Sequence, residues 1–143
     1  MSTIHLTYDV PGDDFTRAGE ASGEVKKKLK QIGYDRDAIR RVAIAMYEGE
    51  INMVIHAGGG VAEVDISPQK VDIVLIDHGP GIVDVEKAME AGYSTAPDNV
   101  RALGFGAGMG LPNMKKYTDE MRIDTEVGKG TTMYLSVHAK QQP

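Results

Sequence analysis

Three sets of residues in this chain have types and spacing suited to chemistry. The first is Gly104-Phe105-Gly106-Ala107-Gly108-Met109-Gly110, four glycines at every second position, followed by a helix-forming run at 111–116. A glycine-rich loop entering a helix offers free N–H groups and the positive end of a dipole, which suit an anion such as phosphate; a plain flexible loop uses the same residues. The second set is Glu48 and Asn52, four apart and therefore on one helical face, with His56 one turn further on. A carboxylate and a carboxamide on an apolar face need a task or partners, and a structural Glu–Asn hydrogen bond to a neighbour would serve as well. The third is Asp77, which closes the apolar face Val71, Ile73 and Leu75 and precedes His78-Gly79-Pro80-Gly81. An acceptor at the floor of an apolar pocket can read an exocyclic amine, and two nearby glycines let a flat ring approach the backbone; an Asp-Gly turn is the plainer alternative.

Composition limits what these residues can belong to. A chain of 143 residues is expected to form one domain with a single core. Sixteen basic against twenty-one acidic side chains give a net charge of −5, which disfavours nucleic acid or an anionic membrane as the main partner. No cysteine is present, so disulfides, thiolate metal sites and cysteine nucleophiles are excluded. The first residues lack a basic-then-apolar signal pattern and no aliphatic run is long, so a soluble cytoplasmic protein is expected.

The elements that would position these groups follow from periodicity. Ile4, Leu6, Tyr8 and Val10 alternate with polar residues and stop at Pro11-Gly12, predicting a strand over 4–10. A helix is expected over 14–31, with Asp13-Asp14 at its start and Gly33 at its end. Its lysines at 26, 27, 28 and 30 complement the helix dipole and face solvent. Asp35 should cap a second helix over 36–56, broken by Gly58-Gly59-Gly60. Apolar stripes lie on two sides of it, Ile39, Val42, Ala43, Met46, Met53 and Val54 on one and Ile44, Ile51 and Ile55 on the other, so it is largely buried. Glu50 falls inside the first stripe with no evident reason.

Strands over 61–67 and 70–77 form a hairpin, 84–91 is a short helix, and 92–103 with the glycines makes a long irregular lid-like segment. A helix over 109–117 precedes strands at 121–125 and 131–137 joined at Gly128-Lys129-Gly130. In the last two strands Arg122, Asp124, Glu126, Thr132 and Ser136 alternate with apolar residues, so one sheet face is wet. The expected fold is a two-layer α+β sandwich, with helices on one face of a mainly antiparallel sheet.

Glu48-x-x-x-Asn52 on a helix, Asp77-His-Gly79-Pro-Gly81 after a strand, the loop 104–110, and Gly130-Thr131-Thr132 opening the last strand resemble, in order, the four boxes of the GHKL (Bergerat) ATP-binding fold. That superfamily includes gyrases, histidine kinases and MutL. Within it, Arg40-Arg-Val-Ala-Ile-Ala, Glu50-Ile-Asn52 and Gly104-Phe-Gly-Ala-Gly-Met-Gly-Leu-Pro-Asn113 are similar to the small anti-sigma-factor serine/threonine kinases, most closely to the stressosome switch kinases. The likeness spans about residues 16–137 and includes neither a phosphoacceptor-histidine helix nor a transducer domain.

The resemblance implies a Mg-ATP-dependent kinase acting on a STAS-domain protein in partner switching. On release, such a kinase would activate a PP2C-type phosphatase or engage a sigma-factor regulator. Carried over residue by residue, Asn52 would bind Mg²⁺ and Glu48 would act as base or orienter for the attacking hydroxyl. Asp77 would accept from the adenine amine, with Gly79 and Gly81 beside the ring and Thr131 assisting. The loop from Gly104 through Gly106, Gly108, Met109, Gly110 and Leu111 would cradle the phosphates. Arg101 or Lys115 would neutralise the γ-phosphate, and His56 remains a helix-end residue. The rival reading is a nucleotide-gated binding protein without transfer activity, and an intact Glu48 favours the enzyme.

Overall fold

The computed structural model describes residues 3–12, 17–90 and 110–140. Along the chain these form β1 (Ile4–Pro11), α1 (Glu20–Gln31), α2 (Arg36–Ala57), β2 (Gly59–Ile66), β3 (Lys70–Asp77), α3 (Val85–Ala88), α4 (Gly110–Lys116), β4 (Glu120–Glu126) and β5 (Gly130–His138). The strands make one five-stranded sheet in the order β1-β2-β3-β5-β4, antiparallel at every pairing. Period-two alternation sets its two faces. Ala62, Val64 and Ile66 of β2, Val71, Ile73 and Leu75 of β3, and Met133, Leu135 and Val137 of β5 are buried on one side. Val25 and Leu29 of α1, Val42, Met46 and Met53 of α2, and Met114 of α4 cover them. This is the expected two-layer α+β sandwich.

Two helices are shorter than their periodicity suggested. Instead of starting near residue 14, α1 begins at Glu20, because Gly19 adopts a left-handed φ of 100° that a continuous helix cannot contain. Asp84 caps α3 through a hydrogen bond from the Lys87 amide (3.1 Å), but the helix ends at Ala88 rather than 91. The other predicted boundaries lie within two residues of those observed, and Asp35 caps α2 by accepting from Ala38 N–H at 3.3 Å.

The near end of α2 is tied to the last strand by a half-buried guanidinium. Arg41 donates to Asp37 (2.8 Å), Asp119 (2.8 Å) and the His138 carbonyl (2.7 Å), and Asp119 also accepts from His138 N–H (2.6 Å). Burial alone would raise the Asp119 pKa; the His138 amide and Arg41 outweigh it and hold the carboxyl below its usual range. Tyr34 packs beneath the β2–β3 hairpin and donates to the Ser67 carbonyl at 2.8 Å, and burial pushes its hydroxyl up to about 12.

One residue departs from the expected wet face. Ser136 points away from the helices, yet it is only 6% exposed. Among the described residues, no helix is long and apolar enough to cross a membrane.

Candidate nucleotide site

The site residues are carried on α2, the end of β3, the start of β5 and the start of α4. The second apolar stripe of α2 leaves Glu48 and Asn52 half-buried, one turn apart. The plainer role raised for them, a structural hydrogen bond, is not formed. Among the described residues, neither side chain makes a hydrogen bond or ion pair, so both polar groups remain available. A Cβ placed on Gly110 would sit 3.5 Å from Glu48 Oε2, so the carboxylate lies directly against the first residue of α4. There the first-turn amides of Gly110 and Leu111 have no carbonyl of their own helix to bond. The Leu111 side chain is buried and anchors that turn.

Close approach of the helix to the sheet fixes this arrangement. A Cβ on Gly49 would lie 2.2 Å from Leu75 Cδ1 and 3.0 Å from Met114 Cε. At that point α2 comes down onto β3 and α4, and a larger residue would require the Leu75 and Met114 side chains to shift. Glu48 is therefore held between two elements that carry other parts of the site.

Asp77 is 7% exposed, and its two carboxylate oxygens are used unequally. Its Oδ1 accepts from Gly79 N–H (3.0 Å) and from Thr131 N–H (3.1 Å), fixing the turn after β3 and the register with β5. Oδ2 has no hydrogen-bond partner among the described residues, although it belongs to a nearly buried group. Thus the turn uses one oxygen of the side chain and leaves the other available to a ligand. Thr131 Oγ1 lies 2.8 Å from Thr125 Oγ1, and Thr125 accepts from Ile82 N–H at 2.9 Å, which joins the Gly79–Ile82 turn to β4 and β5.

Structural reasons now account for the two glycines after Asp77. A Cβ on Gly79 would lie 2.6 Å from Ala57 of α2, and one on Gly81 would lie 2.5 Å from the Glu126 carbonyl. Gly81 also has a φ of 79°, in the left-handed region that side chains rarely adopt. Both positions are thus demanded by the protein's own packing.

Sequence reading found no purpose for Glu50, and the fold supplies one. Its carboxylate, 2% exposed, accepts from the N–H groups of Gly19 (2.8 Å), Ala21 (3.1 Å) and Ser22 (2.9 Å). It is the cap of α1, delivered from α2 about thirty residues away in sequence. A carboxylate at a helix N-terminus satisfies orphan donors and complements the dipole. The residue within the apolar stripe of a buried helix was the available signal; its partner could not be read. Glu50→Ala strands these buried donors and is expected to lower stability by about 1–3 kcal/mol, measured by denaturant titration. Glu50→Gln, which retains an acceptor, should lose less.

His56 is half-buried near the end of α2, and desolvation lowers its pKa. Lys115 is exposed on α4. Arg101, Gly104, Gly106, Gly108 and Met109 lie outside the described residues.

Residues 13–137 match the histidine kinase-like ATPase domain family. The chain is 34% identical over 113 residues to an anti-sigma F factor of Clostridium beijerinckii, covering 75% of this chain and 76% of that protein. It is 32% identical over 106 residues to the serine/threonine-protein kinase RsbT of Bacillus subtilis, covering 71% and 74%. In fold it is similar to the crystal structure of the RsbU and RsbW domains of a Mycobacterium tuberculosis protein, with a TM-score of 0.62 and 20% identity over the whole of this chain and 34% of that one. The order of boxes seen in the sequence, the antiparallel sandwich and these similarities agree, and the chain belongs to the GHKL-type histidine kinase-like ATPase family, among relatives that include anti-sigma F factors and RsbT.

Proposed function

We propose that this protein is a Mg-ATP-dependent serine/threonine kinase that phosphorylates a STAS-domain regulator in a partner-switching pathway, its 143 residues acting as a single kinase domain. The observation that carries the reading is the pair of unengaged polar groups on α2: Glu48 against the first turn of α4, and Asn52 one turn along. In this reading the Asp77 Oδ2 accepts from the adenine amine while Thr131 holds the opposite strand in place. Gly79 and Gly81 form the edge of the base pocket. The amides of Gly110 and Leu111, continuing the loop with Gly104, Gly106, Gly108 and Met109, hold the phosphates. Glu48 orients the incoming hydroxyl and takes its proton.

Asn52 fits a magnesium site as a neutral oxygen donor that no described side chain engages. Among the described residues there is no cluster of three acidic or histidine side chains that could cage a metal. A single neutral oxygen donor suits an ion that keeps several waters and would be held mainly by phosphate oxygens. Bound there, Mg²⁺ would offset charge on the β- and γ-phosphates. Arg101 is the proposed counter-charge to the transferred group, with Lys115 as the alternative.

Similarity to a serine/threonine-protein kinase supports phosphoryl transfer, and similarity to anti-sigma F factors supports a sigma-factor regulator as a second partner; a PP2C-type phosphatase is the alternative second partner that the sequence resemblance implies. A phosphate adds about −1.5 to −2 charges, so a phosphorylated substrate separates more readily from a protein of net charge −5. The second reading, nucleotide-gated binding without chemistry, would leave Glu48 without a task.

The direct test is incubation with labelled ATP and STAS-domain proteins from the same genome. Label on serine or threonine is expected; binding of a STAS protein that requires ATP but leaves it unmodified favours the second reading. Asn52→Ala should weaken ATP by at least about tenfold while changing adenosine affinity little, measured by calorimetry with and without Mg²⁺. Equal loss for both ligands would remove Asn52 from the metal site.

A further inference from the structure

The face of the sheet turned away from the helices contains a groove of about 500 Å³, lined across β3, β5 and β4 by Asp72, Val74, Glu120, Arg122, Tyr134 and Ser136. Ser136 sits in the middle strand, directly opposite Asp72 on one side and Glu120 on the other. Its hydroxyl is the buried side-chain polar atom left without a hydrogen-bond partner among the described residues. A buried hydroxyl without a partner is costly, and protein interiors seldom keep one.

The charges around it are unequally committed. Arg122 lies 4.1 Å from the Tyr134 ring centre and 3.2 Å from Asp124, so its cation forms the wall of the groove and is already used. The two carboxylates beside Ser136 are held only by exposed partners. Lys70 reaches Asp72 at 3.2 Å, and the His138 imidazole reaches Glu120 at 3.4 Å. Such exposed pairs contribute little and exchange readily. An imidazole is moreover a full counter-charge only when protonated.

We propose that this groove receives an arginine side chain from a basic segment of a partner protein. The guanidinium would pair with Asp72 and Glu120 and donate to the Ser136 hydroxyl, while its aliphatic stem lies along Val74 and the exposed Tyr134 ring. Two carboxylates and a hydroxyl beside Val74 and Tyr134 suit a planar fork of donors better than the single point of an ammonium. The protein's net charge of −5 favours a positively charged partner. The groove lies on the opposite side of the sheet from α2 and α4, so it acts independently of the nucleotide reading.

The test uses the whole protein, isotope-labelled and without nucleotide, at about 150 mM salt to suppress loose charge attraction. An acetylated peptide of alternating arginine and serine is titrated against it by NMR, beside versions with lysine or uncharged citrulline in place of arginine. Amide shifts centred on Asp72, Val74, Glu120, Tyr134 and Ser136 are expected with the arginine peptide, weaker ones with lysine and none with citrulline. The double variant Asp72→Asn, Glu120→Gln should bind at least about tenfold more weakly. Ser136→Ala removes the unpartnered hydroxyl, so it should weaken the peptide several-fold without lowering the melting temperature. Equal binding of the citrulline peptide, unchanged affinity in these variants, or shifts confined to the helical side would overturn the proposal. So would a sedimentation-detected dimer that Glu120→Gln dissociates, because the occupant would then be a second copy of this chain.

Discussion

Glu48→Gln is expected to keep ATP and partner binding near wild type while phosphoryl transfer falls by roughly 10²–10⁴-fold. The substitution preserves shape, and Glu48 makes no hydrogen bond or ion pair among the described residues whose loss would disturb the fold. What disappears is the ability to take a proton beside the first turn of α4. Single-turnover transfer to the STAS partner, with nucleotide affinity measured separately, isolates that loss. Transfer at near wild-type rate would exclude Glu48 as the base.

Asp77→Asn is expected to lower ATP affinity by at least about tenfold and to erode the preference for adenine over guanine. Asparagine can keep its oxygen toward Gly79 N–H and Thr131 N–H, so the turn and the strand register survive. The amide NH₂ then occupies the position of Oδ2 and presents a donor to the adenine amine, itself a donor. Two opposed donors in a nearly buried site cost about 1–3 kcal/mol. A 6-oxo purine offers an acceptor at that point and should gain relative to ATP. Competition among ATP, GTP and ITP in wild type and variant, with a thermal melt as the folding control, measures both effects. Wild-type protein that binds GTP as well as ATP would show that Asp77 does not read the base.

The fold was legible wherever a local pattern carried it. Alternation marked the strands, Asp35 and Gly58 marked the ends of α2, and the four-residue spacing of Glu48 and Asn52 placed both groups on one face. Contacts between distant segments were not legible. Glu50 reads as an intruder in an apolar stripe because the amides it caps are 28 to 31 positions away. The same distance hid the true start of α1, since acidic residues at 13–14 looked like the cap that Glu50 provides. Gly79 and Gly81 suggested space for a ligand, whereas Ala57 and Glu126 press against them. Alternation placed Ser136 on the wet face without revealing that its neighbours enclose it.

The absent side chain at Gly49 has one more consequence. Leu75 and Met114 fill the space where a Cβ would stand, so the helix bearing Glu48 rests on the strand that ends in Asp77. The separation of the Asp77 and Glu48 carboxylates is therefore coupled to core packing. In the proposed kinase, a core substitution at this contact would change the separation of the two carboxylates without touching either of them.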